Sequence, residues 1–263
     1  MSRERASIVT VMGLFRSGTN FLRAALEWNC ECSVRYNTFG WKHGYIPVVD
    51  ASRAEAREST DLVAITKDPF ASIHSIYRYY RNAGFNIRAS RGWPAFLRSR
   101  IVIYDHSQKG SPEYRFQNPV QLWNDLNWNI TRFRPTGYTA VHVRYVDLLV
   151  DPQATLTRLT EAIGLDRKTD GDFELPDKKL RRMDESERSA PDDYVTKKAF
   201  EDGRYYRDAE YLKHYDADDI RFVLENLDED LVHELGYTST VDRARALAPQ
   251  IGRRSSWARL LGR

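Results

Sequence analysis

Apolar and polar positions along the chain change period several times, and each change marks an element. Residues 8–12 (IVTVM) form a short apolar run ending at Gly13, the pattern of a buried strand. A turn over 13–17 follows, then a helix over 18–28. Phe21, Leu22, Ala25, Leu26 and Trp28 share one side of that helix, and Arg23 and Glu27 the other. A second strand is predicted around 32–36. "TFGWKHGYIP" reads as a glycine-bounded loop, and 53–59 as a short helix. Residues 62–66 suit a buried parallel strand. Pro69 opens a helix that runs to about Arg81, with Phe70, Ile73, Tyr77 and Tyr80 as its apolar stripe. The glycine of "NAGFN" ends it. Segment 90–117 has no clear period. "NPVQLWNDLNWNITRF" reads as a helix anchored by Leu122, Trp123 and Trp128, "YTAVHVRY" as a strand, and "DPQATLTRLTEAIGL" as a helix starting on Asp151-Pro152. "GDFELP" through "RYYRD" is charged and loop-like. "DADDIRFVLENLDEDLVHELGY" reads as one helix, acidic in its first turn and closed by Gly236.

Strands that alternate with helices predict an α/β fold: a three-layer sandwich with a central, mainly parallel sheet. The 263 residues suffice for one large domain, placed at 1–240. The remainder, 241–263, carries six arginines against one aspartate. It reads either as a disordered basic tail or as a weak membrane-surface helix through Trp257, Leu260 and Leu261. A net charge of +3 suits an anionic ligand without requiring nucleic acid, and no nucleic-acid partner is expected. With no long apolar run and no signal-like opening, the expected location is cytoplasmic. Cys30 and Cys32 are one residue apart and read as reduced thiols.

Three short stretches carry chemistry. In the first, Gly13 and Gly18 bracket the strand-to-helix turn, where glycine lets backbone N–H groups approach an anion and the helix N-terminus favours negative charge. Arg16 adds charge, and Ser17, Thr19 and Asn20 add donors, but the lysine that follows the second glycine of a nucleotide-binding P-loop is missing. On residues alone the turn is either an anion cradle or a plain joint. In the second, Lys67 stands at the C-terminal end of a strand, where open α/β sheets bind ligands. Ser75, eight residues on, points away from the helix's apolar stripe, toward a ligand or toward water. In the third, His43 follows Lys42 in the glycine-bounded loop. A neutral imidazole there can take a proton from an attacking hydroxyl, and Lys42 can stabilise charge on a transferring group.

Taken in order, these motifs resemble the sulfotransferases that use 3′-phosphoadenosine 5′-phosphosulfate (PAPS). "FRSGTNFL" is similar to their 5′-phosphosulfate loop, whose basic residue precedes the second glycine. "TKDPFASIHSIY" is similar to their 3′-phosphate motif, with Lys67 in place of the usual arginine, a change that keeps charge and loses the bidentate fork. "WKHGYIP" resembles their catalytic segment. "RYVDLLVDPQATLTRLTEAIGL" resembles a further family segment, with Val146 where an acid is usual. "KKAFEDGRYY" is a faint counterpart of their late basic loop, through Lys198 or Arg204.

The resemblance implies roles. Arg16, Ser17, Gly18, Thr19 and Asn20 hold the 5′-phosphosulfate, and Lys67 and Ser75 hold the 3′-phosphate. His43 acts as base, and Lys42 or Arg16 stabilises the leaving oxygen. No metal is implied. The acceptor is a hydroxyl or amine of a small molecule or glycan, a carbohydrate or glycolipid included. Two rivals share the fold: a P-loop kinase-like enzyme, and a non-catalytic binder of a nucleotide or anionic glycan.

Overall fold

The computed structural model describes residues 7–46, 60–83, 91–105, 113–134, 137–176 and 203–261. The expected helix at 53–59 and Lys198 lie outside them. The chain divides into two compact units. The first comprises 1–67, 105–112 and 126–203, the second 68–104, 113–125 and 204–263.

The first unit is built on a four-stranded, fully parallel sheet flanked by helices. Its strands are β1 (Ser7–Met12), β2 (Cys32–Arg35), β3 (Asp61–Thr66) and β6 (Ala140–Arg144), in the order β2-β1-β3-β6. Val9 pairs with Val34, Val11 with Val63, and Ala64 with His142. Residues 9–12 and 62–66 are all buried, as parallel strands covered on both faces must be. The Thr10 hydroxyl, buried among them, lies 3.2 Å from that of Thr60, which itself donates to the Ile8 carbonyl. Helix α1 (Thr19–Asn29) links β1 to β2. One core face gathers Met12, Phe39, Ile46, Leu62, Ala64 and Ile130, with Phe133 and Ala140 packed against it.

The connection from β1 leads to its neighbour on one side, while β3 lies on the other. The strand order therefore reverses between β1 and β3. In open α/β sheets ligands bind outside the carboxyl ends of the strands at this switch point. Those ends carry the Gly13 turn and Lys67.

The second unit holds α2 (Pro69–Ala83), α3 (Trp93–Leu97), the antiparallel pair β4 (Ile101–Tyr104) and β5 (Glu113–Phe116), and the C-terminal helices. Helix α4 (Pro119–Arg132) has residues in both units. Asp68 precedes α2 and caps it: its Oδ1 accepts from the Ala71 N–H at 3.1 Å. The Asp68 carboxyl also has the Tyr211 and Thr240 hydroxyls beside it, and burial raises its pKa to about 6. Asp219 accepts from Trp93 Nε1 and from Arg98, both at 2.8 Å. Trp93 and Phe70 each meet Tyr215 edge-on.

Several local expectations are corrected. Segment 90–117 contains a short helix and two four-residue strands. Tyr145–Val150 forms helix α5, and Arg144 grips its Asp147 through two bonds of 2.7 Å. Helix α6 (Pro152–Ile163) then starts on Asp151, whose side chain caps Ala154. Residues 204–207 form helix α7, and a 3₁₀ turn follows at Glu210–His214. The single helix expected over 216–237 is two, α8 (Ala217–Asn226) and α9 (Glu229–Glu234). Leu227 leaves helical conformation, and Asp228 caps the second helix by accepting from the Leu231 N–H. Trp28 and Trp128, expected on apolar faces, are 46% and 47% exposed. The Arg132 guanidinium covers the Trp128 ring at 4.9 Å. The basic segment from 241 continues helix α10 (Thr238–Leu261), with Val241 and Ala244 buried and Arg245 bonded to Glu229 and Asp242. No helix among the described residues is long and apolar enough to cross a membrane.

Candidate anion-binding and proton-transfer site

The site begins where β1 runs out. Gly13 has no room for a side chain: a Cβ there would stand 2.3 Å from the Ile65 carbonyl oxygen and 2.6 Å from Ser17 Oγ. Gly18 is constrained twice. Its φ of 99° belongs to the left-handed region, and a Cβ would meet the Tyr145 ring at 2.5 Å. Between them Arg16 also adopts a left-handed conformation, φ 71°, which is unusual for a residue with a side chain. Left-handed residues at 16 and 18 fold the backbone tightly around Ser17, in the manner of an anion-binding nest.

Ser17 is 1% exposed, and its hydroxyl has no hydrogen-bond partner among the described residues. An unpartnered buried hydroxyl is costly, so one inside a tight turn at a helix N-terminus signals a missing acceptor. Helix α1 opens on Gly18 with no side-chain cap, which leaves its first N–H groups and the positive end of its dipole for an anion. Thr19 is buried in the first turn of that helix.

The loop with Lys42 and His43 is fastened to this turn at two points. The Gly13 N–H donates to the Lys42 carbonyl at 2.9 Å, and His43 Nδ1 lies 2.6 Å from the Gly13 carbonyl oxygen. A carbonyl oxygen only accepts, so Nδ1 carries the proton and Nε2 holds the lone pair. The imidazole makes T-shaped contacts with the rings of Trp41 and Phe15, at centroid distances of 5.4 and 6.3 Å. Burial and the neighbouring Lys42 charge press its pKa down to about 3, so the ring is neutral across the physiological range.

The Lys42 ammonium donates to Asn20 Oδ1 at 2.9 Å and sits 3.5 Å from the centroid of the Tyr36 ring. Tyr36 in turn donates its hydroxyl to the same Asn20 oxygen, at 3.0 Å. Burial, with the nearby Arg23 charge, lowers the Lys42 pKa to about 8. Lys67 is buried at the end of β3, with its ammonium 5.3 Å from the centroid of the Tyr145 ring. Tyr145 thus touches the surroundings of both Gly18 and Lys67.

Of the residues expected from sequence, Arg16, Ser17, Gly18, Thr19, Asn20, Lys42, His43 and Lys67 all belong to the first unit. Ser75 is half-buried on α2 in the second unit, and Arg204 is exposed on α7. The sequence reading missed Tyr36, Tyr145 and Arg23. Only Tyr145 had a signal, its place in "RYVDL". Among the described residues, no group of three or more His, Cys, Asp or Glu is placed to hold a metal ion.

Fold and site together define an α/β chain with a tight glycine-bracketed turn at its topological switch point and a neutral histidine fastened to that turn. No protein-family model matches the chain, and no curated protein does. Among solved structures it is similar to mouse sulfotransferase SULT7A1 complexed with PAP, at 13% identity and a TM-score of 0.38. The alignment covers 62% of this chain and 60% of that one.

Proposed function

We propose that the chain is a sulfotransferase that moves the sulfuryl group of PAPS to a hydroxyl or amine of a small-molecule or glycan acceptor. The observation that carries this reading is the buried, partnerless hydroxyl of Ser17, held between two left-handed residues at an uncapped helix N-terminus beside a neutral histidine. The turn suits an anion whose negative end is met by backbone N–H groups, Ser17 Oγ and Arg16. The lysine that would grip the β- and γ-phosphates of a nucleoside triphosphate is replaced by Thr19.

When bound, PAPS supplies the sulfuryl group and a phosphate leaving group. Each protein group then has one task. The turn binds and orients the phosphosulfate end. His43, its Nδ1–H committed to Gly13, accepts the acceptor's proton at Nε2. Arriving negative charge favours the protonated imidazole and moves its depressed pKa back upward. The Lys42 ammonium, or the Arg16 guanidinium, neutralises charge growing on the leaving oxygen, as cations do in phosphoryl transfer. Lys67 is assigned to the 3′-phosphate, the group that distinguishes PAPS from ATP.

Thermal denaturation tests the reading directly. Adenosine 3′,5′-bisphosphate should raise the melting temperature, whereas ATP with magnesium should not. The reverse result would establish the kinase-like alternative. Transfer of labelled sulfate from PAPS to a panel of sugar and phenol acceptors then separates an enzyme from a binder.

A further inference from the structure

Two cations, Lys42 and Arg23, share the ring of Tyr36. The Lys42 ammonium is 3.5 Å from the ring centroid and the Arg23 guanidinium carbon 5.2 Å. Arg23 is fixed by Glu27, one helical turn on, at 2.9 Å, and the other Glu27 oxygen accepts from the Val34 N–H on β2. The Tyr36 hydroxyl holds Asn20 Oδ1, the atom that also receives the Lys42 ammonium. Asn20, Arg23 and Glu27 lie at the i, i+3 and i+7 positions of one face of α1. A continuous chain of contacts therefore runs from β2 through Glu27, Arg23 and Tyr36 to Lys42, and ends on the first turn of the helix that opens the anion site.

We propose that Tyr36 is the positioning residue for Lys42: its ring carries the ammonium and its hydroxyl locks Asn20, so that the lysine is held at the N-terminal turn of α1. A flexible lysine at a loop would otherwise sample many rotamers and lose entropy on engaging a ligand. Here that freedom is already spent in the folded chain. Arg23 supplies a fixed repulsive charge at the same ring, and a partly desolvated ammonium near that charge gains most when an anion arrives. The role assigned to Lys42 in transfer rests on the function proposed above; the holding of Lys42 by Tyr36 does not.

The test compares wild type with Tyr36→Phe and Tyr36→Leu, each first shown to be folded by circular dichroism and thermal melting. Reductive ¹³C-methylation followed by NMR titration reads the lysine directly, with the Lys42 signal assigned by its loss in Lys42→Arg. Tyr36→Leu exposes the ammonium, so its pKa should climb toward the ordinary lysine value by roughly one unit or more. Tyr36→Phe keeps the ring but frees Asn20, and should give a smaller change. An unchanged Lys42 titration in folded Tyr36→Leu overturns the proposal. In the transfer assay Tyr36→Leu should lower kcat at least about tenfold with little change in donor KM, the signature of a lost transition-state contact. A wild-type protein that transfers no sulfate would defeat the functional reading alone, because the titration still decides the positioning.

Discussion

His43 and Gly13 are joined through a 2.6 Å contact between the imidazole Nδ1 and the glycine carbonyl, and the Gly13 N–H returns a bond to the carbonyl of Lys42. The first residue of the candidate anion turn is therefore also the residue that selects the tautomer of the candidate base. Turn and base move together, because neither bond survives a displacement of the loop by more than a fraction of an ångström.

Replacing His43 with alanine should lower turnover by about 10²–10⁴-fold, the usual loss for a general base, with modest loss of donor affinity. A near-wild-type rate would show that another group takes the proton. The substitution also has a signature in stability. The folded-state pKa of about 3 lies below the ordinary 6.5, so between those values the unfolded chain binds a proton that the folded chain does not. Wild-type stability should fall as pH drops through that window, by at most about 1.4 kcal/mol per pH unit from this residue. His43→Ala should flatten that part of the curve, as followed by urea denaturation at pH 4, 5 and 7.

Lys42 gives the opposite end of the profile. Its folded pKa is lowered to about 8 against an ordinary value of 10.5. Between these values the unfolded chain again binds the extra proton, so stability rises with pH from about 8 to 10.5. At pH 7 the lysine is charged in both states and its burial is a net cost. Lys42→Met should therefore stabilise the protein at pH 7 by about 1–2 kcal/mol while depressing turnover. In wild type, kcat/KM should decline above about pH 8 as the ammonium is lost, and Lys42→Arg should shift that decline to higher pH. A flat alkaline limb would remove Lys42 from the chemistry.

The turn's glycines should be intolerant for different reasons. Gly13→Ala drives a Cβ into the backbone oxygen of Ile65, which cannot retreat without disturbing the β1–β3 ladder. A loss of about 1–3 kcal/mol or more is expected. Gly18→Ala meets the Tyr145 ring and also forces a side chain into the left-handed region. Tyr145→Ala added to Gly18→Ala should recover only the steric part, leaving about 1–2 kcal/mol of backbone strain. Denaturation midpoints of the single and double variants check this; full recovery would mean that φ at position 18 carries no cost.

Much of this arrangement was legible in the chain itself. The β1–turn–α1 unit and β3 announce themselves by unbroken apolar runs ending in Gly13 and Lys67, and α2 by its stripe of Phe70, Ile73 and Tyr77, all buried. The β4–β5 pair was not legible, because four-residue strands such as Glu113–Phe116 are too short to establish a period. The break at Leu227 and Asp228 was not legible either, because the apolar rhythm runs on from α8 into α9. Tyr36 and Arg23 have no local signature at all. Their roles arise only when β2 returns beside α1 and the 37–46 loop folds back on both, so the ring, the guanidinium and Lys42 meet through tertiary packing. Trp128 misled for a related reason: its size suggested an anchor, but Arg132 covers its ring at the surface.

Ser17 separates stability from binding most cleanly. Its hydroxyl is buried and unpartnered, a state that costs a folded protein about 1–3 kcal/mol when no acceptor is present. Ser17→Ala removes that penalty and leaves Gly13, Arg16 and Gly18 in place. The ligand-free variant should therefore be as stable as wild type or more stable. Its affinity for adenosine 3′,5′-bisphosphate should fall by about tenfold, since one donor to the anion is lost. Calorimetric titration and thermal melting on the same samples give both numbers. A variant that loses stability while binding the bisphosphate as tightly as wild type would make Ser17 a packing residue and leave the turn without its anion.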